Sequence, residues 1–147
     1  MTRRVDLIGM PTDVHSSFLR GCAQAPPLIR AALFSPHGNE ASERGLELGG
    51  GIALKDCGDL PLREALSDDA VIEAAVLQSL RDSAIPIALG GDHSITYPIL
   101  RAVAGHRGPV DILHFDAHPD LYDELGGDRR SHASPFARIM EEGLAAR

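Results

Sequence analysis

Asp116, His118 and Asp120 alternate along one short stretch, Asp116-Ala117-His118-Pro119-Asp120. While a backbone stays extended, side chains two apart point the same way, so these three converge on one side. Carboxylate oxygens joined by an imidazole suit a hard or borderline divalent cation such as manganese, and no thiolate belongs to the group. A carboxylate can also bridge two ions, a role open to Asp116 or Asp120. The competing reading is a polar strand end with solvated carboxylates and a surface histidine. Upstream, Gly90-Gly91-Asp92-His93-Ser94 offers a further ligand in His93. Its glycines allow a sharp turn and close backbone approach, and Asp92 can orient a ligand from behind. Alternatively, these glycines only make a tight turn and Ser94 caps a helix.

Short apolar runs alternate with helical patterns, and these elements must position the candidate ligands. Residues 5–10 predict a first strand, followed by a polar loop over 11–25 and a short helix from Pro26 to about Leu33. Residues 35–51 read as a loop and 52–56 as a short strand. A helix opens near Ser67, with Asp68 and Asp69 where its dipole favours negative charge. Ile72, Ala75, Val76 and Leu80 share one face of it, and Pro86 lies beyond its end. Residues 85–89 and 110–115 predict buried strands, each running straight into a candidate motif. A helix over 95–104 stops at Gly105, and 134–143 is helical again, with Phe136, Ile139 and Met140 on one face. This alternation predicts an α/β fold with a mostly parallel sheet, whose ligands gather at the carboxyl ends of the strands. There is no internal repeat.

The chain has 147 residues and a net charge of −7, with 44% apolar and 24% charged residues. That length suffices for one domain with a hydrophobic core. The acidic balance argues against nucleic-acid binding and gives no attraction to anionic membranes. No apolar run approaches the ~20 residues that cross a bilayer. Asp6 interrupts the only N-terminal apolar stretch, so no signal peptide is read there. Cys22 and Cys57 lack metal-ligand spacing and read as reduced thiols of a cytoplasmic protein.

Gly90-Gly91-Asp92-His93-Ser94 followed by Asp116-Ala117-His118-Pro119-Asp120 resembles the ureohydrolase family of arginases, agmatinases and formiminoglutamases. The likeness runs from about Val5 to the end. Residues 111–123 and 131–140, with Ser16-Ser17-Phe18-Leu19-Arg20-Gly21, Ala25-Pro26 and Ile29-Arg30, look most like plant-type arginases and their bacterial relatives. The resemblance implies a three-layer α/β/α fold, of which residues 1–147 are the N-terminal part of a single domain. It implies two manganese ions: His93, Asp116 and Asp120 on the first, His118 on the second, and Asp116 bridging them. His132 matches a histidine of a mobile loop, placed for proton transfer or for holding substrate. The implied reaction is attack of a metal-activated water on a small cationic guanidino compound, arginine or agmatine, giving urea and an amine. Asp120 or His132 then returns a proton to the leaving nitrogen. The implied assembly is a trimer or hexamer.

The sequence departs from the family pattern at two points. Tyr122 stands where animal-type arginases carry an asparagine that holds the amino-acid head, which leaves arginine and agmatine undecided. The family's later Asp-x-Asp motif has no counterpart within residues 1–147. Asp128, Glu141 and Glu142 lack its strand-end context. The 147 residues alone are therefore expected not to hydrolyse either substrate, and a cut sheet edge is an aggregation risk. Two other readings stay open: a zinc deacetylase of the related fold, and a non-catalytic fragment. Among the remaining histidines, His114 reads as a core histidine within a strand and His37 and His106 as surface residues. His15 either borders the pocket or does not.

Overall fold

The computed structural model describes residues 2–65 and 67–147. Three strands form a parallel sheet in the order β2–β1–β3: β1 is Arg3–Met10, β2 Ile52–Asp59 and β3 Ile85–Gly90. The helices are α1 (Ala25–Leu33), α2 (Asp68–Arg81), α3 (Thr96–Arg107) and α4 (Pro135–Glu141). Strand β1 is central, so every side chain from Val5 to Met10 is buried.

Alternation along β1 divides the layers. Ile8 and Met10 face α2 and α3, and pack with Ile72, Val76, Leu80, Ile95 and Ala102. Burying each of the larger side chains contributes roughly 2 kcal/mol. Gly9 points the other way. A Cβ there would run into Asp59 and the Arg30 guanidinium, which pair with each other, so α1 lies on the opposite face. Helices therefore flank the parallel sheet on both sides, as expected of the fold.

Several local expectations need correction. Helix α3 runs through Gly105 to Arg107 and ends where Gly108 turns left-handed at φ 81°. Helix α2 does open at Ser67 with Asp68 and Asp69 in its first turn, and the Asp68 carboxylate accepts the N–H groups of Arg63 and Ala65. β3 is not buried throughout, because it is an edge strand that leaves Ile85 and Ile87 exposed. Residues 110–115 are extended but do not join the sheet. Their backbone pairs only with the segment near the C-terminus, Val110 with Leu144 and Ala146, Ile112 with Arg147. Leu113 and Phe115 are consequently 81% and 88% exposed. A strand-like pattern predicts burial only if neighbouring strands cover it, and among the described residues none does.

Candidate metal centre

His93 is the more firmly built side of the site. It follows β3, where Gly91 donates its N–H to the Met10 carbonyl at 3.2 Å and Asp92 donates to Thr12 at 2.9 Å. A Cβ on Gly91 would collide with the Thr12 backbone, so only glycine lets this loop lie against the one after β1. Asp92 Oδ1 accepts the N–H and hydroxyl of Ser94 at 2.9 and 2.5 Å, opening the short 3-10 turn that carries His93. Asp92 does not bond the His93 ring, as an orienting partner would. Thr96, one turn on, takes that part: its hydroxyl lies 2.9 Å from His93 Nδ1. Burial lowers the proton affinity of His93 against the opposing pull of Asp120, favouring the neutral ring that can ligate a cation.

Asp116 and Asp120 approach His93 from the other side. The chain does not stay extended through 116–120, so the three-residue alternation is broken. Asp116 Oδ1 accepts the N–H of His118 at 3.0 Å, which bends the backbone and holds the Asp116 carboxyl below its usual range. The His118 side chain then points outward, 78% exposed, with Nδ1 3.6 Å from Asp116 Oδ1. Asp120 is buried in a left-handed conformation at φ 47°, a region Asp tolerates better than most residues. Its carbonyl accepts the Phe136 N–H at 3.2 Å, and Oδ2 lies 3.3 Å from His93 Nε2.

The resulting cluster contains His93, His114, Asp116 and Asp120, each offering a ligand atom within 4.8 Å of the others. His118 is outside it and His114 is inside. The His114 ring stacks on His93 with centroids 5.4 Å apart, and Phe136 tilts against both. His114 Nε2 and His93 Nε2 are buried without a hydrogen-bond partner among the described residues. Each faces a carboxylate, His114 Nε2 lying 3.4 Å from Asp116 Oδ2. Unpartnered imidazole nitrogens set against two carboxylates fit a divalent cation.

Open space borders this cluster. A cleft of about 530 Å³ is lined by His118, Asp120, Leu121, Tyr122, His132 and Ala133. A second, of about 330 Å³, is lined by residues 16–19 with Cys22, Asp92, His93 and His132. His132 thus borders both. Tyr122 is exposed, and its N–H donates to the Ala133 carbonyl at 3.2 Å, tying the metal loop to the His132 loop.

Residues 3–147 match the sequence profile of the Arginase family. The chain belongs to the arginase family. It is 48% identical over 150 residues to "Arginase 1, mitochondrial" of Arabidopsis thaliana, a match spanning 96% of this chain and 44% of that protein. It is 36% identical over 139 residues to "Agmatinase, mitochondrial" of Gallus gallus, covering 93% of this chain and 41% of the relative. The solved arginase from Medicago truncatula superposes with a TM-score of 0.89 at 42% identity, over 98% of this chain and 48% of that one. The chain therefore spans less than half the length of these relatives.

For this arginase-family chain, sequence reasoning missed His114 and Thr96 at the site. Signals for both were present. Ile112, His114 and Asp116 keep the two-residue period that the bend at 116–118 breaks. Thr96 follows His93 at a spacing that brings side chains together on a helical turn.

Proposed function

We propose that these residues hold manganese in a two-metal centre that hydrolyses a guanidino compound, arginine or agmatine, to urea and an amine. The observation that carries the reading is the pair of unpartnered buried nitrogens on His93 and His114, set against Asp120 and Asp116 beside two open clefts. His93, Asp116 and Asp120 would hold the first ion, with His114 within reach. His118 and Asp116 would serve the second. Asp116 suits a bridging role because its oxygens face different histidines, Oδ2 towards His114 and Oδ1 towards His118. Manganese bound there supplies a water activated for attack at neutral pH.

The rest of the chemistry falls to the chain's own side chains. The Asp120 carboxylate on the cleft wall favours a cationic substrate, and Tyr122 and His132 on the same wall would meet its tail or leaving nitrogen. His132 supplies or removes a proton at the cleft. The activity belongs to a protein of the relatives' full length that carries these residues. Relatives named as arginase and agmatinase support both substrates. A trimer or hexamer is part of the proposal, to be measured by light scattering. So is a cytoplasmic location, consistent with free thiols at Cys22 and Cys57 and tested by cell fractionation. No described helix is long and apolar enough to cross a membrane.

The direct test is urea release from arginine, agmatine and other guanidino compounds by the manganese-loaded protein of full family length. Activity is expected on one of the first two, with at least about a hundredfold loss in His132→Ala. Manganese-loaded protein inactive on every guanidino compound would overturn the reading.

A further inference from the structure

His132 is held by more than its own loop. Its backbone N–H and its ring Nδ1 both lie against the carbonyl oxygen of His15, at 3.2 and 3.0 Å. A carbonyl can only accept, so the ring proton must sit on Nδ1. The Ser131 hydroxyl, 3.4 Å from Nδ1, is the more distant neighbour and can accept from the same N–H. The opposite nitrogen, Nε2, then carries the lone pair. Its neighbour is the Ser17 hydroxyl at 3.5 Å, on the wall of the smaller cleft.

The His15 carbonyl is itself fixed from two directions. The His15 N–H donates to Asp92 Oδ2 at 3.0 Å, and Asp92 is anchored through its other oxygen to Ser94. The His15 ring places Nδ1 2.7 Å from Asp128 Oδ2, and Asp128 opens the loop that carries His132. Asp128 also accepts the Arg130 N–H at 2.7 Å and offers its carbonyl to Ser131, so it shapes this loop from within. Thus one loop supplies the carbonyl, and the other is clamped to it by a side-chain bond between His15 and Asp128.

We propose that Asp92, His15 and Asp128 form a brace that keeps His132 in the Nδ1–H tautomer, with Nε2 presented to the cleft as the proton-accepting atom. His15 and Asp128 are positioning residues. Neither lies in the four-residue metal cluster. The brace explains why Asp92 leaves the His93 ring to Thr96: its carboxylate is occupied by Ser94 on one side and His15 on the other. It also gives His15 a use that its place in a polar loop does not disclose. The inference deepens the proposed function, and the value of the tautomer to catalysis rests on that reading. The brace itself does not.

The test is the tautomer of His132, read from long-range proton–nitrogen NMR correlations of the ring at a pH where it is neutral. It uses the 147-residue chain without metal. The wild-type chain should show the Nδ1–H form as the major species. In His15→Leu and in Asp128→Ala the clamp is gone, and the Nε2–H form that free histidine prefers should become major. His15→Asn keeps a side-chain donor close to the position of Nδ1 and should restore the wild-type pattern. Unchanged amide shifts in α2 and α3 establish that each variant is folded. Because His15 and Asp128 lie outside the core cluster, at least one of the loosened variants is expected to pass that check. A wild-type ring in the Nε2–H form overturns the proposal. So does an Nδ1–H form that survives in a folded His15→Leu or Asp128→Ala chain. Neither result depends on turnover. An inactive full-length protein with the Nδ1–H form intact would instead count against the proposed reaction.

Discussion

The two sides of the candidate centre are built differently. His93 sits at the end of a strand paired to the central one. Its loop is pinned by backbone bonds to Met10 and Thr12, and its ring is held by Thr96. Asp116 and His118 end an extended segment that, among the described residues, no strand of the sheet flanks. Their geometry comes from a local bend, in which the Asp116 carboxylate accepts the His118 N–H. On the first side the sheet fixes a ligand before any cation arrives. On the second, side chains organise themselves and leave Leu113 and Phe115 to solvent. Stability should therefore be concentrated in the first side and metal dependence in the second.

The largest expected effect breaks the first side at its tightest point. Gly91→Ala drives a methyl into the Thr12 backbone, which cannot yield as a side-chain tip can. A loss of about 3 kcal/mol is expected in chemical denaturation. A variant as stable as the parent would show that the close approach of the two loops does not matter.

Next comes a pair that sets core against strand end. Ile72→Ala empties a buried position between α2 and the sheet and should cost about 2 kcal/mol. Phe115→Ala, at an exposed position, should change stability by less than about 0.5 kcal/mol. Similar losses at both positions would mean that the 110–115 segment is packed after all.

A smaller effect concerns the hold on His93. Thr96→Val keeps the shape of the side chain and removes the hydroxyl beside Nδ1. Manganese affinity should fall about tenfold with little change in folding, measured by calorimetric titration. An unchanged affinity would assign the ring's orientation to stacking on His114 instead.

The smallest concerns pH. The Gly21 N–H, then Arg20, hold the Asp13 carboxyl below its usual range. A depressed carboxylate contributes stability that is present above its unfolded value and lost as pH falls through the folded one. The Gly21 amide resonance should therefore titrate below the usual carboxylate range, and stop doing so in Asp13→Asn. A midpoint within the usual range would mean that the loop is not fastened there.

Much of this was legible in the sequence. The parallel α/β order and the reach of the two motifs towards each other follow from strand–helix alternation and from Gly90 and Gly91. What local pattern could not show was which strands become neighbours. Residues 85–89 and 110–115 both read as buried strands, yet one pairs with β1 and the other lies outside the sheet. The alternation of Asp116, His118 and Asp120 misled for a related reason. It assumes an extended backbone, and the Asp116 side chain bends that backbone itself. His114 joins the cluster, and His118 stays outside it. The motif alone puts Asp92 behind His93, but its carboxylate serves the loops that lead to His132. Such long-range partners as His15 and Asp128 leave no trace in local spacing.

The central claim is that His93, Asp116 and Asp120 hold a divalent cation. Its most direct measurement is manganese binding to the 147-residue chain, followed by the electron paramagnetic resonance signal of the free ion. The account predicts saturable binding that weakens at least about a hundredfold in Asp120→Asn. Binding that is absent in the folded parent, or as tight in the variant, would contradict it.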